Sequence, residues 1–247
     1  MAAQRRRIPR LYLERELNGD KLTLDERDTH YLGHVLRLKR GDELVVFNGR
    51  GVERRASVAS LQRRGAELEL RTSVDALPAS RLTLTLIQAL PKSDAMDLIV
   101  QKATELGASA IVPVYTEFSV VKLDAERAER RVEHWRRIAQ SACEQCGRHV
   151  PPAIAAPAEL ALGLETLGEI DTRLALDPDS TARLARAAVS PHRVAAAVGP
   201  EGGFGEDDYR RLDAARFDRV GLGRRVLRAE TAALAICALA QSLWGDV

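Results

Sequence analysis

The stretch Val198-Gly199-Pro200-Glu201-Gly202-Gly203-Phe204-Gly205 holds the densest set of residues able to do chemistry. It follows a hydrophobic run and precedes a helical pattern, Glu206 to Ala214, so it reads as a strand-to-helix loop. Glycines there let backbone groups come close to a ligand, and parallel sheets bind ligands outside the carboxyl ends of their strands. The spacing is neither G-x-G-x-x-G nor a Walker loop, because no Gly-Lys-Ser/Thr follows. The loop also stands late in the chain, whereas a dinucleotide fingerprint opens its fold. The competing reading is a plain tight turn. A second stretch, Leu222-Gly223-Arg224-Arg225-Val226-Leu227-Arg228-Ala229-Glu230-Thr231-Ala232, again joins a strand to a helix. Three arginines in five residues before a helix N-terminus concentrate an anion-attracting field. Glu230 and Thr231 fall in the first helical turn, where a carboxylate and a hydroxyl suit the free backbone donors. That capping role can coexist with a catalytic one.

A third stretch, Glu144-Gln145-Cys146-Gly147-Arg148-His149, ends a long helix, and Cys143-x-x-Cys146 invites a zinc or redox reading. A structural zinc site needs four ligands and only His149 is near, so the expectation is no metal. The sequence has no G-x-S-x-G elbow and no H-E-x-x-H spacing among its five histidines, which argues against the hydrolase and metalloenzyme classes.

These loops need elements to hold them, and the chain shows two textures. From about Leu11 to Val74 short alternating runs read as strands: Leu22 to Leu24, Glu43 to Phe47, Val52 to Ala59 and Ala66 to Leu70. Asn48-Gly49 with Gly51 marks a hairpin, and Asp25 caps a short helix reaching Leu36. Short strands around one helix predict a compact barrel. After residue 75, strands at Leu82 to Leu90, Ala110 to Val114, Arg173 to Leu176, Val194 to Val198 and Phe217 to Gly221 alternate with helices. These helices are Ser93 to Leu106 (closed by Gly107), Ala125 to Gln145, Glu206 to Ala214 and Glu230 to Trp244. Such alternation predicts an α/β fold with a parallel sheet covered on both faces. The last helix is apolar nearly all round, as expected of a core or a subunit interface.

The 247 residues suffice for one large domain or two modest ones, and the division falls at 1–75 and 76–247. Net charge is +2, which excludes a uniformly cationic coat. Split at the boundary, residues 1–75 carry 16 Lys/Arg against 12 Asp/Glu, a net of +4, leaving −2 for the rest. Arg5, Arg6, Arg7 and Arg10 lead that surplus, and Arg37, Lys39 and Arg40 adjoin a turn. A basic appendage suggests a polyanion partner, although ordinary solvated charges would look the same. Three sparse cysteines build no disulfide framework. No signal-peptide core follows the basic N-terminus, and no apolar run approaches a membrane span. The expected location is cytoplasmic, with no membrane association.

With these residues in place, V-G-P-E-G-G-F followed by L-G-R-R-V-L-R-A-E-T-A resembles the paired C-terminal signatures of RsmE-type ribosomal RNA methyltransferases of the SPOUT superfamily. Arg37-Leu38-Lys39 with Gly41-Asp42, Ala89-Leu90-Pro91-Lys92 through Asp97, Gln101 to Gly107, and Glu144-Gln145-x-Gly147-Arg148 extend the resemblance over nearly the whole chain. It implies a PUA-like N-terminal β-barrel that binds RNA, a SPOUT α/β domain with a deep trefoil knot, and a homodimer. It further implies S-adenosylmethionine as methyl donor and N3 of a uridine in 16S ribosomal RNA of the small subunit as acceptor. Cys146 stands where the family often has serine, and Ala229 where many members have threonine.

Carried over by motif, Gly199, Pro200, Glu201, Gly202 and Gly203 with Leu222, Gly223, Leu227 and Thr231 form the implied cofactor pocket. Leu176, at a strand end, is a candidate for its third wall. Arg228 is implied to stabilise the developing uridine anion, and Glu230 either acts as base or holds Arg228 by a salt bridge. From their place in the basic N-terminal part, Arg5, Arg6, Arg7, Arg10, Arg37, Lys39 and Arg40 are the expected RNA contacts, and the resemblance adds Arg148, to hold a phosphate or the target base.

Overall fold

The structure is a computed structural model, and it describes residues 8–74, 78–92, 95–120, 122–185 and 190–247. The chain divides into two compact units: residues 1–78 with 143–151, and residues 79–142 with 152–247.

In the first unit, β1 (Arg10–Tyr12), β2 (Lys21–Leu24), β3 (Glu43–Phe47), β4 (Glu53–Gln62) and β5 (Gly65–Ser73) form one sheet in the order β1-β3-β4-β5-β2. β1 pairs parallel to β3 and the other neighbours are antiparallel. Among the described residues no ladder joins β1 to β2, so the expected barrel is an unclosed five-strand path. The Asn48 side chain shapes the β3–β4 connection by accepting the N–H groups of Arg50 at 2.9 Å and Val52 at 3.2 Å. The short helix α1 (Glu26–His30) begins at Asp25, whose carboxylate accepts the Asp28 N–H at 2.8 Å, and runs on into a π turn over Tyr31–Val35. Leu32 on that turn joins Leu13, Leu24, Leu44, Val46 and Leu68 in the core.

The second unit is built on a seven-stranded sheet. Its strands are β6 (Thr83–Ala89), β7 (Ala108–Tyr115), β8 (Ala153–Ile154), β9 (Ala158–Glu159), β10 (Thr172–Leu176), β11 (Arg193–Val198) and β12 (Asp218–Val220). The order is β12-β10-β11-β6-β7-β8, with β9 also on β7, and every ladder is parallel. Alternate residues feed two cores. Leu84, Leu86, Val194, Ala196 and Leu174 face one, while Ile87, Ala195, Ala197 and Ala175 face the other.

Helices α2 (Ala95–Glu105), α3 (Ala125–Cys146) and α6 (Ala229–Trp244) pack on the first face. They contribute Ile99, Trp135, Ile236 and Trp244 to its core. The short α4 (Leu160–Glu165) and α5 (Glu206–Ala214) cover the second through Leu160 and Leu212. This is the doubly covered parallel sheet that the continuous apolar runs predict. Gly107, at φ +84°, closes α2 as expected. Among the described residues no helix is long and apolar enough to cross a membrane.

Candidate donor site and nucleic-acid interface

Adjacency of β12, β10 and β11 brings three loops together at one carboxyl edge of the sheet. They enclose a cleft of about 210 Å³. Leu176 and Pro178 enter from the β10 loop, Val198 through Gly203 from the β11 loop, and Leu222, Gly223, Arg225, Val226 and Leu227 from the β12 loop. Ala229 and Ala232 of α6 complete the lining. The surface is mostly small apolar side chains and glycine backbone, with the Arg225 side chain and two carboxylates, Asp177 and Glu201, as its charged members.

The β11 loop is folded tightly. The Gly203 N–H donates to the Pro200 carbonyl at 2.9 Å, and Gly203 takes φ +73°, a left-handed conformation that favours glycine. Gly199 is needed for a different reason: a Cβ there would lie 2.9 Å from the Gly203 carbonyl carbon. Glu201 ties the loop to the end of β6, its carboxylate accepting the Lys92 N–H at 2.9 and 3.2 Å. Beyond the loop, buried Asp208 accepts the N–H groups of Gly205 at 3.0 Å and Glu117 at 3.1 Å, which anchors the start of α5.

On the β10 side, the Tyr209 hydroxyl donates to the Leu176 carbonyl at 3.5 Å, and the Asp177 N–H donates to the Val220 carbonyl at 3.0 Å. Burial, with Asp177 adding to it, pushes the Tyr209 hydroxyl up to about 12, so it stays protonated and is no candidate base. Arg219 lies over the Tyr209 ring at 4.2 Å, which fixes that wall further.

Residues 78–241 match the RNA methyltransferase domain family, and residues 24–71 match the RNA methyltransferase PUA domain. The ribosomal RNA small subunit methyltransferase E of Synechocystis is 36% identical over 85% of this chain and 69% of its own length. The Bacillus subtilis protein of that name is 30% identical over 84% of each chain. The chain belongs to the ribosomal RNA small subunit methyltransferase E family.

Two solved structures of similar fold carry the donor. A methyltransferase from Legionella pneumophila in complex with S-adenosylmethionine superposes with TM-score 0.92 at 32% identity, covering 98% of this chain and all of that one. The Neisseria gonorrhoeae methyltransferase E bound to S-adenosylmethionine gives 0.90 at 34%, covering 97% and 99%. The N-terminal unit is accordingly PUA-like, and the second unit is an RNA methyltransferase domain.

The sequence-derived pocket residues Leu176, Gly199, Pro200, Glu201, Gly202, Gly203, Leu222, Gly223 and Leu227 all line this cleft. Thr231 does not: it faces solvent on the first turn of α6, one residue away from the inward-facing Ala232. Arg228 is the exposed N-cap residue of α6 and Glu230 is half-buried behind it, both outside the lining. No ion pair links Arg228 to Glu230 among the described residues, so the Glu230 carboxylate is not committed to that guanidinium. Asp177 and Pro178 escaped the sequence reading because they reach the cleft through strand order. Their one signal was position, directly after a strand.

Of the expected RNA contacts, Arg37, Lys39 and Arg40 stand exposed around the turn leading into β3. Gly41 and an Asp42 carboxylate that accepts the Lys39 N–H at 2.8 Å fix that turn. Arg5, Arg6 and Arg7 lie outside the described residues. Arg10 requires correction. Its guanidinium makes a bidentate pair with buried Glu53 at 2.7 and 2.9 Å, donates to the Arg148 carbonyl at 3.1 Å, and lies 4.6 Å from the Phe47 ring centroid. With its side chain 13% exposed, it is an internal partner and not a docking cation. Arg148 itself is half-buried.

In the same unit Glu144 accepts from the Tyr31 hydroxyl at 2.6 Å and the Tyr12 N–H at 2.9 Å. Burial outweighs these bonds and raises its carboxyl above the ordinary range. Burial likewise pushes the Cys143 thiol up to about 12, which removes it as a neutral-pH nucleophile. Among the described residues no group of three or more His, Cys, Asp or Glu is placed to hold a metal ion.

Proposed function

We propose that this chain transfers the methyl group of S-adenosylmethionine to N3 of a specific uridine in 16S ribosomal RNA of the small subunit. The observation that carries the reading is the glycine-walled cleft at the carboxyl ends of β10, β11 and β12, in a fold superposing on two donor-bound proteins. The residues fit such a donor. Gly199 removes the side chain that would fill the loop, Val198, Leu222 and Leu227 suit an adenosyl ring, and backbone groups of residues 199–203 and 222–223 suit its polar edges. When bound, S-adenosylmethionine supplies a methyl group already activated by its sulfonium.

The protein then has to orient the acceptor and manage one proton. Uridine N3–H is a weak acid and must be lost before N3 can attack. Arg228, projecting from the N-cap of α6 beside Arg224 and Arg225, stabilises the resulting anion by charge fixed in advance. In this reading Glu230, with no ion pair to Arg228 among the described residues, takes the proton at a carboxylate oxygen. Cofactor pocket residues, Arg228 and Glu230 thus divide between binding and chemistry. RNA affinity comes from phosphate contacts of the exposed basic residues Arg37, Lys39 and Arg40, with Arg5 to Arg7 adding charge at the N-terminus.

The domain roles follow the boundary near residue 75, the PUA-like part for docking and the remainder for transfer. The chain path fits a deep trefoil knot: β11 inserts between β6 and β10, β12 lies outside β10, and the segment after β10 crosses Gly221. There Gly221 N–H donates to the Ala182 carbonyl and Ser180 Oγ to the Arg219 carbonyl, each at 2.9 Å. A homodimer would cover Leu239, which stands 42% exposed on α6. The working compartment is the cytoplasm, where small subunits assemble.

The reaction is tested with purified protein, small ribosomal subunits and methyl-labelled donor, followed by nucleoside chromatography. Label in N3-methyluridine is expected. Label on a ribose 2′-oxygen, or none, would overturn the assignment.

A further inference from the structure

The chain holds four phenylalanines. Phe47, Phe204 and Phe217 are at most 7% exposed, whereas Phe118 is 47% exposed at the tip of the loop after β7. Hydrogen bonds hold residues 116–119 of that tip. Ser119 Oγ accepts the Thr116 N–H at 3.0 Å, the Ser119 N–H donates to the Thr116 carbonyl at 3.0 Å, and the Glu117 N–H donates to buried Asp208 at 3.1 Å. A single exposed apolar ring is ordinary by itself, so its surroundings decide whether it has a use.

Its position supplies one. Phe118 rests against Gly202, where an added Cβ would come 3.0 Å from the Phe118 Cβ and 3.3 Å from its Cγ. The ring borders a groove of about 540 Å³ lined by Lys92, Glu117, Ser119, Val120, Glu201 and Gly202. Glu201 and Gly202 also line the donor cleft, so groove and cleft share one wall. Val120, 66% exposed, extends the apolar strip. Lys92 is exposed with its backbone fixed by Glu201, and its ammonium has no carboxylate partner among the described residues. An apolar ring face, a fixed backbone and an unspent cation beside the methyl-transfer cleft match an unstacked nucleotide: base on the aromatic, phosphate on the lysine.

We propose that Phe118 is a positioning residue on which the acceptor uracil, extruded from its RNA stack, lies with one edge toward the Glu201–Gly202 wall, while Lys92 holds an adjacent phosphate. This rests on the reading of the cleft as the donor site. A base inside a helix cannot present N3, because pairing occupies that edge, so a methyltransferase acting there needs a platform for the displaced ring. The glycine at 202 lets that platform approach the cleft wall without a side chain between.

The test compares Phe118→Ala, Phe118→Leu and Phe118→Tyr in the full-length protein, measuring donor affinity by calorimetry and kcat/KM on small ribosomal subunits. Base–aromatic stacking is worth about 1–3 kcal/mol, so Ala and Leu should each lower kcat/KM by roughly 5- to 150-fold. Tyr should restore it, and donor Kd should stay within about twofold throughout. A Leu variant as active as the wild type would show that bulk over Gly202 is all that matters, and would overturn the proposal. So would an equal loss of donor affinity, or a change of oligomeric mass in sedimentation, which would assign the ring to the loop or to a subunit contact. The labelled product is identified in the same digests. A product other than N3-methyluridine refutes the proposed reaction, while the Phe118 series still decides whether a base stacks there.

Discussion

Replacing Gly199 by alanine tests the β11 loop as the wall of the donor cleft. The new Cβ would lie 2.9 Å from the Gly203 carbonyl carbon and 3.1 Å from both the Gly203 Cα and the Phe204 nitrogen, all backbone atoms. Ordinary contact begins at 3.4 Å, so the turn must open by about 0.5 Å. Opening strains the Gly203 N–H to Pro200 carbonyl bond, 2.9 Å long, that closes the loop. Overpacking of this kind costs about 1–3 kcal/mol. In the free protein the loop relaxes outward; on binding, the strain is reimposed, and Kd for the donor or its demethylated product should rise by roughly 5- to 150-fold. Gly203→Ala should weaken binding less, by about 1 kcal/mol, because space is open there and the left-handed φ alone is penalised. Isothermal calorimetry with S-adenosylhomocysteine, alongside thermal melts, measures both. A Gly199→Ala protein whose Kd stays within twofold of wild type would refute the loop's role, whether or not its melting point falls.

Arg10→Met should destabilise the fold by about 3–5 kcal/mol, because it leaves Glu53 buried without its partner, and denaturant unfolding reads this directly. Arg37→Ala should leave unfolding unchanged and lower the salt slope of RNA binding by about one; the reverse pattern in these two variants would contradict the assignments. Glu144 titrates above its ordinary value when folded, so between that value and the raised one the unfolded chain is ionised while the native protein stays protonated. Stability from this group therefore falls as pH rises through that window and is flat above it. Glu144→Gln should remove the fall, and parallel melting-versus-pH curves for variant and wild type would disprove the account. Arg228→Ala should cut the single-turnover rate by about 10²–10³ with donor Kd nearly unchanged, and an unaltered rate would refute its role.

Much of the site was legible because its residue types are diagnostic locally. Glycines 199, 202 and 203 between an apolar run and an amphipathic one specify a strand–loop–helix, and α5 starts at Glu206 as the pattern requires. The alternation in Leu82 to Leu90 likewise resolves into two buried faces. Of the elements of two or three residues, β1, β8 and β9 were not legible, since they hold too few positions to show a period, whereas β12 was read within the longer run Phe217 to Gly221. Arg10 was misread because charge counts carry no information on burial, and its partner Glu53 is 43 residues away. Asp177 and Pro178 reach the cleft through the order β12-β10-β11, which local patterning does not encode. The grouping of residues 143–151 with the N-terminal unit is equally long-range: the bonds from Tyr12 and Tyr31 to Glu144 span 132 and 113 residues.

The central claim, methylation of uridine N3 in small-subunit RNA, is tested most directly in cells. Mass spectrometry of nucleosides from 16S ribosomal RNA should find one N3-methyluridine missing when the gene is deleted. The wild-type gene should restore it and the Arg228→Ala gene should not. An unchanged N3-methyluridine level after deletion, or loss of a different methylated nucleoside, would contradict it.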